Sequence, residues 1–275
     1  MNSILTMALT KPDPTSKMGK ALASLLRMDS AKLPAARSKE LLKFINSKEF
    51  KKFITEQPSK EQEDAAFQKY VNILAEKGWF ISLWHTPLSG LRRIAKCYED
   101  GKIQAADDAM SAHFSECLDE IEDSLTKTFP SREKILRKAF EAHRNKNYEL
   151  SIPAMLSQAD GIGCEIFKVY GLESIYSRKD SEVKKLKKFL ETEARKTASL
   201  AYWALLVAEF LPVNASRSDR SRFPGAMNRN SILHGEDVSY ATSVNAHKAV
   251  SWIQYVASFK TCLWVDKWNL QPQTA

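Results

Sequence analysis

Met110, Phe114, Cys117, Leu118, Ile121 and Leu125 are spaced so that all six fall on one stripe of a helix. The same helical period runs through most of the chain. Leu41, Leu42, Phe44, Ile45, Phe50 and Phe53 follow it between Ser38 and Ile54, and Phe67, Tyr70, Val71 and Leu74 follow it up to Gly78. Only nine glycines occur in 275 residues. Hairpin-rich and all-β folds need more, so the chain is read as all-α. A chain of this length can bury roughly 73% of its unfolded surface, enough for a core without disulfides or structural metals. The stretch Trp79 to Trp84 is the only passable strand, and it reads better as an apolar connector packed on the core.

The helices are expected in order. Ile103–Leu125 reads as one long helix whose other faces are acidic. Thr128–Ser131 is a break, with Ser131 as the N-cap of a helix that turns Ile135, Leu136, Ala139 and Phe140 inward. Asn147 opens a helix to about Tyr170, with Pro153 in its first turns or at a kink. Asp180 or Ser181 caps a long basic helix. Pro224 opens a short one that Gly235 ends. Thr242 or Ser243 caps the last, with Ala246, Ala249, Val250, Ile253, Val256 and Ala257 on its inner face. This divides the chain into a flexible N-terminus (1–16), a helical region of open role (17–127) and a C-terminal helical domain (128–275). Residues 131–265 hold four longer helices and one short one.

Cys97, Cys117, Cys164 and Cys262 are widely spread and form no close pair, which argues against a zinc ribbon or redox motif and for reduced thiols. The start MNSILTMALTKPDP does not read as a signal peptide. The longest apolar run, Leu200–Ala208, is far short of a membrane span. A cytoplasmic protein without membrane contact is expected. The net charge of +8 invites a polyanion.

No phosphate-cradling loop, His-Glu-x-x-His helix or Gly-x-Ser-x-Gly elbow is present. Asp160-Gly161-Ile162-Gly163 contains G-x-G but follows no strand, so its glycines are read as allowing close helix packing. The segment Asn228-Arg229-Asn230-Ser231-Ile232-Leu233-His234-Gly235 is more informative. It sets an arginine and a histidine five positions apart at the end of a short helix. The helix dipole there favours a protonated imidazole. A guanidinium fork suits a phosphate that gains charge. Arg217, Arg220 and Arg222 precede it in a polar loop. These groups suit phosphodiester chemistry without a metal.

The segment RNSILHG resembles the R-x(4–6)-H motif of HEPN-domain proteins, an all-helical family of prokaryotic ribonuclease toxins and phage-defence effectors. The flanks NYELSIPAMLSQADGI and GEDVSYATSVNAHKAVSWI resemble those of HEPN-like proteins as well, so the likeness covers about residues 131–265. It implies a HEPN-type helical bundle and a metal-independent endoribonuclease. The ribose 2′-hydroxyl attacks the adjacent phosphate, with His234 as general acid or base, Arg229 stabilising the phosphate and Asn230 orienting the site. Asp160 is a candidate supporting partner, and Arg217, Arg220 and Arg222, with the lysines at 184, 185, 187 and 188, are candidate guides for RNA such as tRNA or mRNA. No cofactor or metal is implied. A homodimer is implied, with an antitoxin or defence-system protein as a further partner. Residues five apart on a helix differ by about 140°, so Arg229 and His234 converge if Arg229 reaches round, if the helix is irregular at its end, or across two copies, the option that the family's dimers make attractive. A second pair at similar spacing, Arg137 and His143, lies in an amphipathic helix and is read as surface. The alternative is a non-catalytic helical module that holds RNA, a nucleotide or a partner protein.

Overall fold

The computed structural model describes residues 60–81, 88–168, Lys184 and 211–267. The helices expected over 38–54 and from Asp180 to Leu205, with three of the four lysines near 184, lie outside the described residues, as does the flexible N-terminus. Backbone contacts divide the chain into two compact units, Met1–Glu63 and Asp64–Ala275. Everything below concerns the second.

The described residues form helices and short 3-10 turns, with no strand among them. Eight α-helices follow in order: α1 (Lys60–Glu76), α2 (Leu88–Glu99), α3 (Ile103–Glu116), α4 (Leu118–Thr128), α5 (Glu133–Arg144), α6 (Tyr148–Lys168), α7 (Arg229–Leu233) and α8 (Ser243–Lys267). No helix of the described residues is long and apolar enough to cross a membrane.

The core is organised on α8. Every residue from Ala246 to Phe259 is buried. The expected inner face is there, but the opposite face is buried too, carrying His247, Lys248, Ser251, Gln254 and Ser258. Local bonds make this tolerable. Ser251 Oγ donates to the Lys248 carbonyl at 2.7 Å, and Ser258 Oγ to the Tyr255 carbonyl at 2.6 Å. Each hydroxyl thereby avoids the cost of an unpaired buried donor. Helices α3, α4 and α6 pack on α8, α2 packs on α3, and α5 lies between α4 and α6.

The connector after α1 behaves as expected. Gly78 takes a φ of +82°, which suits glycine, and ends the helix. Trp79, Phe80 and Ile81 are then buried in chain that is neither helix nor strand, and residues 82–84 of the connector lie outside the described residues. Phe80 meets Trp252 edge-on at 4.4 Å, and its N–H donates to Ser251 Oγ.

Several expectations are corrected. The single helix over 103–125 is two, broken at Cys117, where φ −91° and ψ 2° depart from helical values. The apolar stripe crosses the break, and both halves pack on α8, but α3 also packs on α2 and α4 on α5. Ser131 is not a cap: a 3-10 turn, Pro130–Arg132, leads directly into α5, whose N-cap position is Arg132. Ile135 is exposed, whereas Leu136, Ala139 and Phe140 are buried. The short helix starts at Arg229 and not at Pro224. Helix α2 covers a stretch assigned no element above, although Leu91, Ile94, Ala95 and Tyr98 are buried at helical spacing.

Pro153 sits inside α6, where it cannot donate to the Glu149 carbonyl four residues back. Tyr240 Oη donates to that carbonyl at 2.9 Å. The acidic faces also serve the fold. Glu122, nearly buried on α4, accepts from Arg144 at 2.5 Å and Arg137 at 3.5 Å, both on α5. Lys260 on α8 donates to the Thr128 carbonyl at 2.9 Å and lies over the Phe129 ring, closing the end of α4.

Candidate active site

Helix α7 is only five residues long and owes its position to Asn228. With φ −125° and ψ 119°, Asn228 is a non-helical N-cap whose Oδ1 accepts from the Ser231 N–H at 2.9 Å. Its Nδ2 donates to the Pro212 and Ala215 carbonyls at 2.7 and 3.0 Å. One buried side chain thus starts the helix and ties it to the 3-10 turn Pro212–Asn214. Ile232 anchors the inner face. At the other end His234 is the C-cap and Gly235 takes φ +70° as expected, while the N–H groups of Glu236 and Asp237 donate to the Ser231 carbonyl.

Arg229 turns toward α6. Its Nε donates to Asp160 Oδ2 at 2.5 Å and its Nη2 makes a second contact with the same oxygen. Its Nη1 donates to Asn230 Oδ1 at 3.0 Å. Asn230 Nδ2 donates to the Ala215 carbonyl at 3.4 Å. Both Arg229 and Asp160 are about four-fifths buried, at 21% exposure each. Screening by water is therefore reduced, and the pair fixes α7 on α6. Gly161 follows for a steric reason: a Cβ there would lie 2.5 Å from Arg132 Nη1. That guanidinium reaches Gln158 at 3.1 Å and Glu165 at 3.4 Å. The neighbouring Cys164 thiol is pushed up, first by burial and then by the Asp160 charge, so it is held in its unreactive form.

His234 lies on the exposed side and makes no side-chain hydrogen bond or ion pair among the described residues. The dipole acting on it belongs to little more than one helical turn. Glu236, two residues on, receives Arg220, with Arg217 Nη2 at 3.9 Å. The Arg220 hydrogen bond chiefly holds the Glu236 carboxyl below its usual range, with Arg217 and His234 adding positive charge. Arg217 is 84% exposed and Arg222 is exposed, whereas Arg220 is at 23%.

The candidate residues therefore fall into two groups. Arg229, Asn230 and Asp160 form one hydrogen-bonded cluster between α7 and α6. His234, Arg217, Arg220 and Glu236 form a second, solvent-facing cluster beyond the helix end. Within one chain Arg229 and His234 point to different clusters, as a five-residue spacing on a helix requires. Asn228 was missed in the sequence analysis, although an asparagine directly before a short helical segment is a cap signature.

The pair Arg137 and His143 does not converge. Arg137 is on the surface and donates to Glu133 at 2.8 Å. His143, read as surface, is buried at 5% exposure, edge-on to His247 at 4.9 Å and to Tyr148 at 5.7 Å. The helix turns it inward on the same face as Leu136 and Phe140. Cys97, Cys117 and Cys164 are half-buried and form no disulfide among the described residues, and the Cys262 side chain lies outside the described residues. The chain matches no family model, no curated protein and no solved structure.

Proposed function

We propose that this protein is a metal-independent endoribonuclease of HEPN type, acting as a toxin or phage-defence effector. The observation that carries the reading is the division of labour at α7. A histidine without a side-chain partner among the described residues sits at its exposed end beside arginines, and an oriented arginine–asparagine pair sits at its base. In the proposed reaction His234 takes the proton of a ribose 2′-hydroxyl, whose oxygen attacks the adjacent phosphorus. The bond to the 5′-oxygen breaks and that oxygen takes up a proton. The products are a 2′,3′-cyclic phosphate and a 5′-hydroxyl. Arg229, steered by Asp160 and Asn230, stabilises the charge that builds on the phosphate oxygens. Arg217 and Arg222 guide the RNA backbone. Because Arg229 and His234 of one chain diverge, the reading places the site across two copies, each supplying one group.

Cleavage of total RNA and tRNA in EDTA by wild type and His234→Ala tests this. Cleavage by wild type alone, leaving cyclic phosphates, is expected. Equal cleavage by both variants, or none by a folded wild type, overturns it. Light scattering at micromolar concentration is expected to give a dimer.

One observation favours a second reading, a non-catalytic helical module that binds RNA or a protein. The Nε and both terminal nitrogens of Arg229 already contact Asp160 or Asn230 within the chain. In that case RNA binding survives in His234→Ala and no cyclic phosphate forms.

A further inference from the structure

On the other side of α7 lies a cavity of about 560 Å³, which neither Arg229 nor His234 lines. Its walls include Asp107, Arg220, Ser231, Tyr240, Asn245 and Lys248. The volume is in the range of small-molecule sites. The first turn of α8 borders it, so the positive end of the longest helix faces the space.

Lys248 is the unusual member. It sits in the fully buried stretch of α8, and its side chain is 9% exposed. Helical side chains lean toward the helix N-terminus, which carries this one back toward the cavity. Its stem passes over Gly78, where an added Cβ would lie 3.4 Å from the Lys248 Cδ. The ammonium makes no hydrogen bond among the described residues. It lies 3.8 Å from Asp107 Oδ1 and 5.4 Å from the centre of the Trp79 ring. That carboxylate oxygen is already taken, by Trp79 Nε1 at 2.7 Å and Tyr98 Oη at 2.6 Å. Lys248 thus pairs with a carboxylate whose Oδ1 is also held by two neutral donors, and its ammonium makes this ion pair without a hydrogen bond among the described residues. An ammonium so placed at a cavity wall can donate to a further group with lone pairs and negative charge.

We propose that this cavity is a binding site for a small organic anion, whose carboxylate or phosphate accepts hydrogen bonds from Lys248 at the N-terminal end of α8. The arrangement suits one oxyanion group at the floor; the Tyr240 and Ser231 hydroxyls and the Asn245 amide on the walls already donate within the chain, which leaves their oxygens to accept from the rest of the ligand. The site is independent of the ribonuclease reading, since no residue of the Arg229 or His234 clusters other than Arg220 borders it.

The test is calorimetric titration of the full chain with inorganic phosphate and, separately, with succinate at constant ionic strength. Saturable binding of at least one is expected, weakened about ten- to hundred-fold in Lys248→Met, as for a lost hydrogen bond to a charged group. Binding of phosphate alone marks a phosphoryl ligand, and binding of succinate alone a carboxylate. No saturable heat with either, or equal affinity in a folded Lys248→Met, overturns the proposal. Reductive methylation of the wild type, mapped by mass, covers the case in which that variant does not fold. The rate at Lys248 is expected to fall at least about ten-fold under the anion that binds, while exposed Lys127 is unaffected, as linkage at saturation requires. An unchanged rate at Lys248 overturns it equally.

Discussion

Helix α8 and helix α7 solve opposite problems with similar residues. From Ala246 to Phe259 every residue of α8 is buried, and its Ser251 and Ser258 hydroxyls are absorbed by bonds to its own backbone. His247 is typical. Its Nδ1 donates to the Ser243 carbonyl, so in the neutral ring Nε2 accepts from Ser115, each at 2.8 Å. Helix α7 has one anchored face and one open end, and His234 at that end has no such bonds. Two histidines thirteen positions apart therefore differ in what they are free to do. A buried, bonded imidazole holds the fold, while an exposed one faces solvent.

The largest expected effect tests how far α8 is the centre of the fold. Phe80→Ala removes a fully buried ring from between Trp252 and Tyr255. It is expected to cost about 3–5 kcal/mol in urea denaturation. A cost below about 1 kcal/mol would mean that the connector does not belong to that core.

Acid comes next. Burial, then the charges of His247 and Arg144, push the His143 imidazole down to about 4, and burial also lowers His247. Below the ordinary value of 6.5 the unfolded chain binds protons that the folded chain refuses. Stability that is complete above that value is thus lost as the pH falls toward 4. The loss is expected to reach about 2–3 kcal/mol between about pH 7 and pH 4.5, and His143→Phe should flatten the slope. An unchanged slope would place the acid sensitivity elsewhere.

Asn228→Ala is expected to cost about 2 kcal/mol, because it removes the cap of α7 and leaves the Pro212 and Ala215 carbonyls without that donor. Hydrogen exchange should rise first at α7 and leave α8 protected. A uniform rise would show that the two regions unfold together. Tyr240→Phe takes the replacement donor from the Glu149 carbonyl, for about 1 kcal/mol. His234→Ala is expected to change stability least, by under about 0.5 kcal/mol, because its side chain is exposed. A loss comparable to that of Asn228→Ala would make His234 a structural residue and would remove the contrast with His247.

What could be read from the residues follows from local rules. Helical period, the turn at Gly78, the left-handed Gly235 and the Thr242 cap of α8 depend on a few neighbouring positions, and among the described residues they are present in the fold. The cluster of Arg229, Asn230 and Asp160 was legible as candidates but not as a contact. Asp160 and Arg229 are brought together only by the packing of α7 on α6.

Tertiary structure alone decided three things. It broke one apolar stripe at Cys117, where both halves pack on α8 but one also meets α2 and the other α5. It buried the polar face of α8, since an amphipathic pattern shows which face is apolar but not how many neighbours surround it. It set Lys248 beside Asp107, Trp79 and Tyr98 at a cavity. Periodicity along the chain carries the sign of each face. Only the three-dimensional packing fixes which faces meet, and with that which charges are compensated and which remain open.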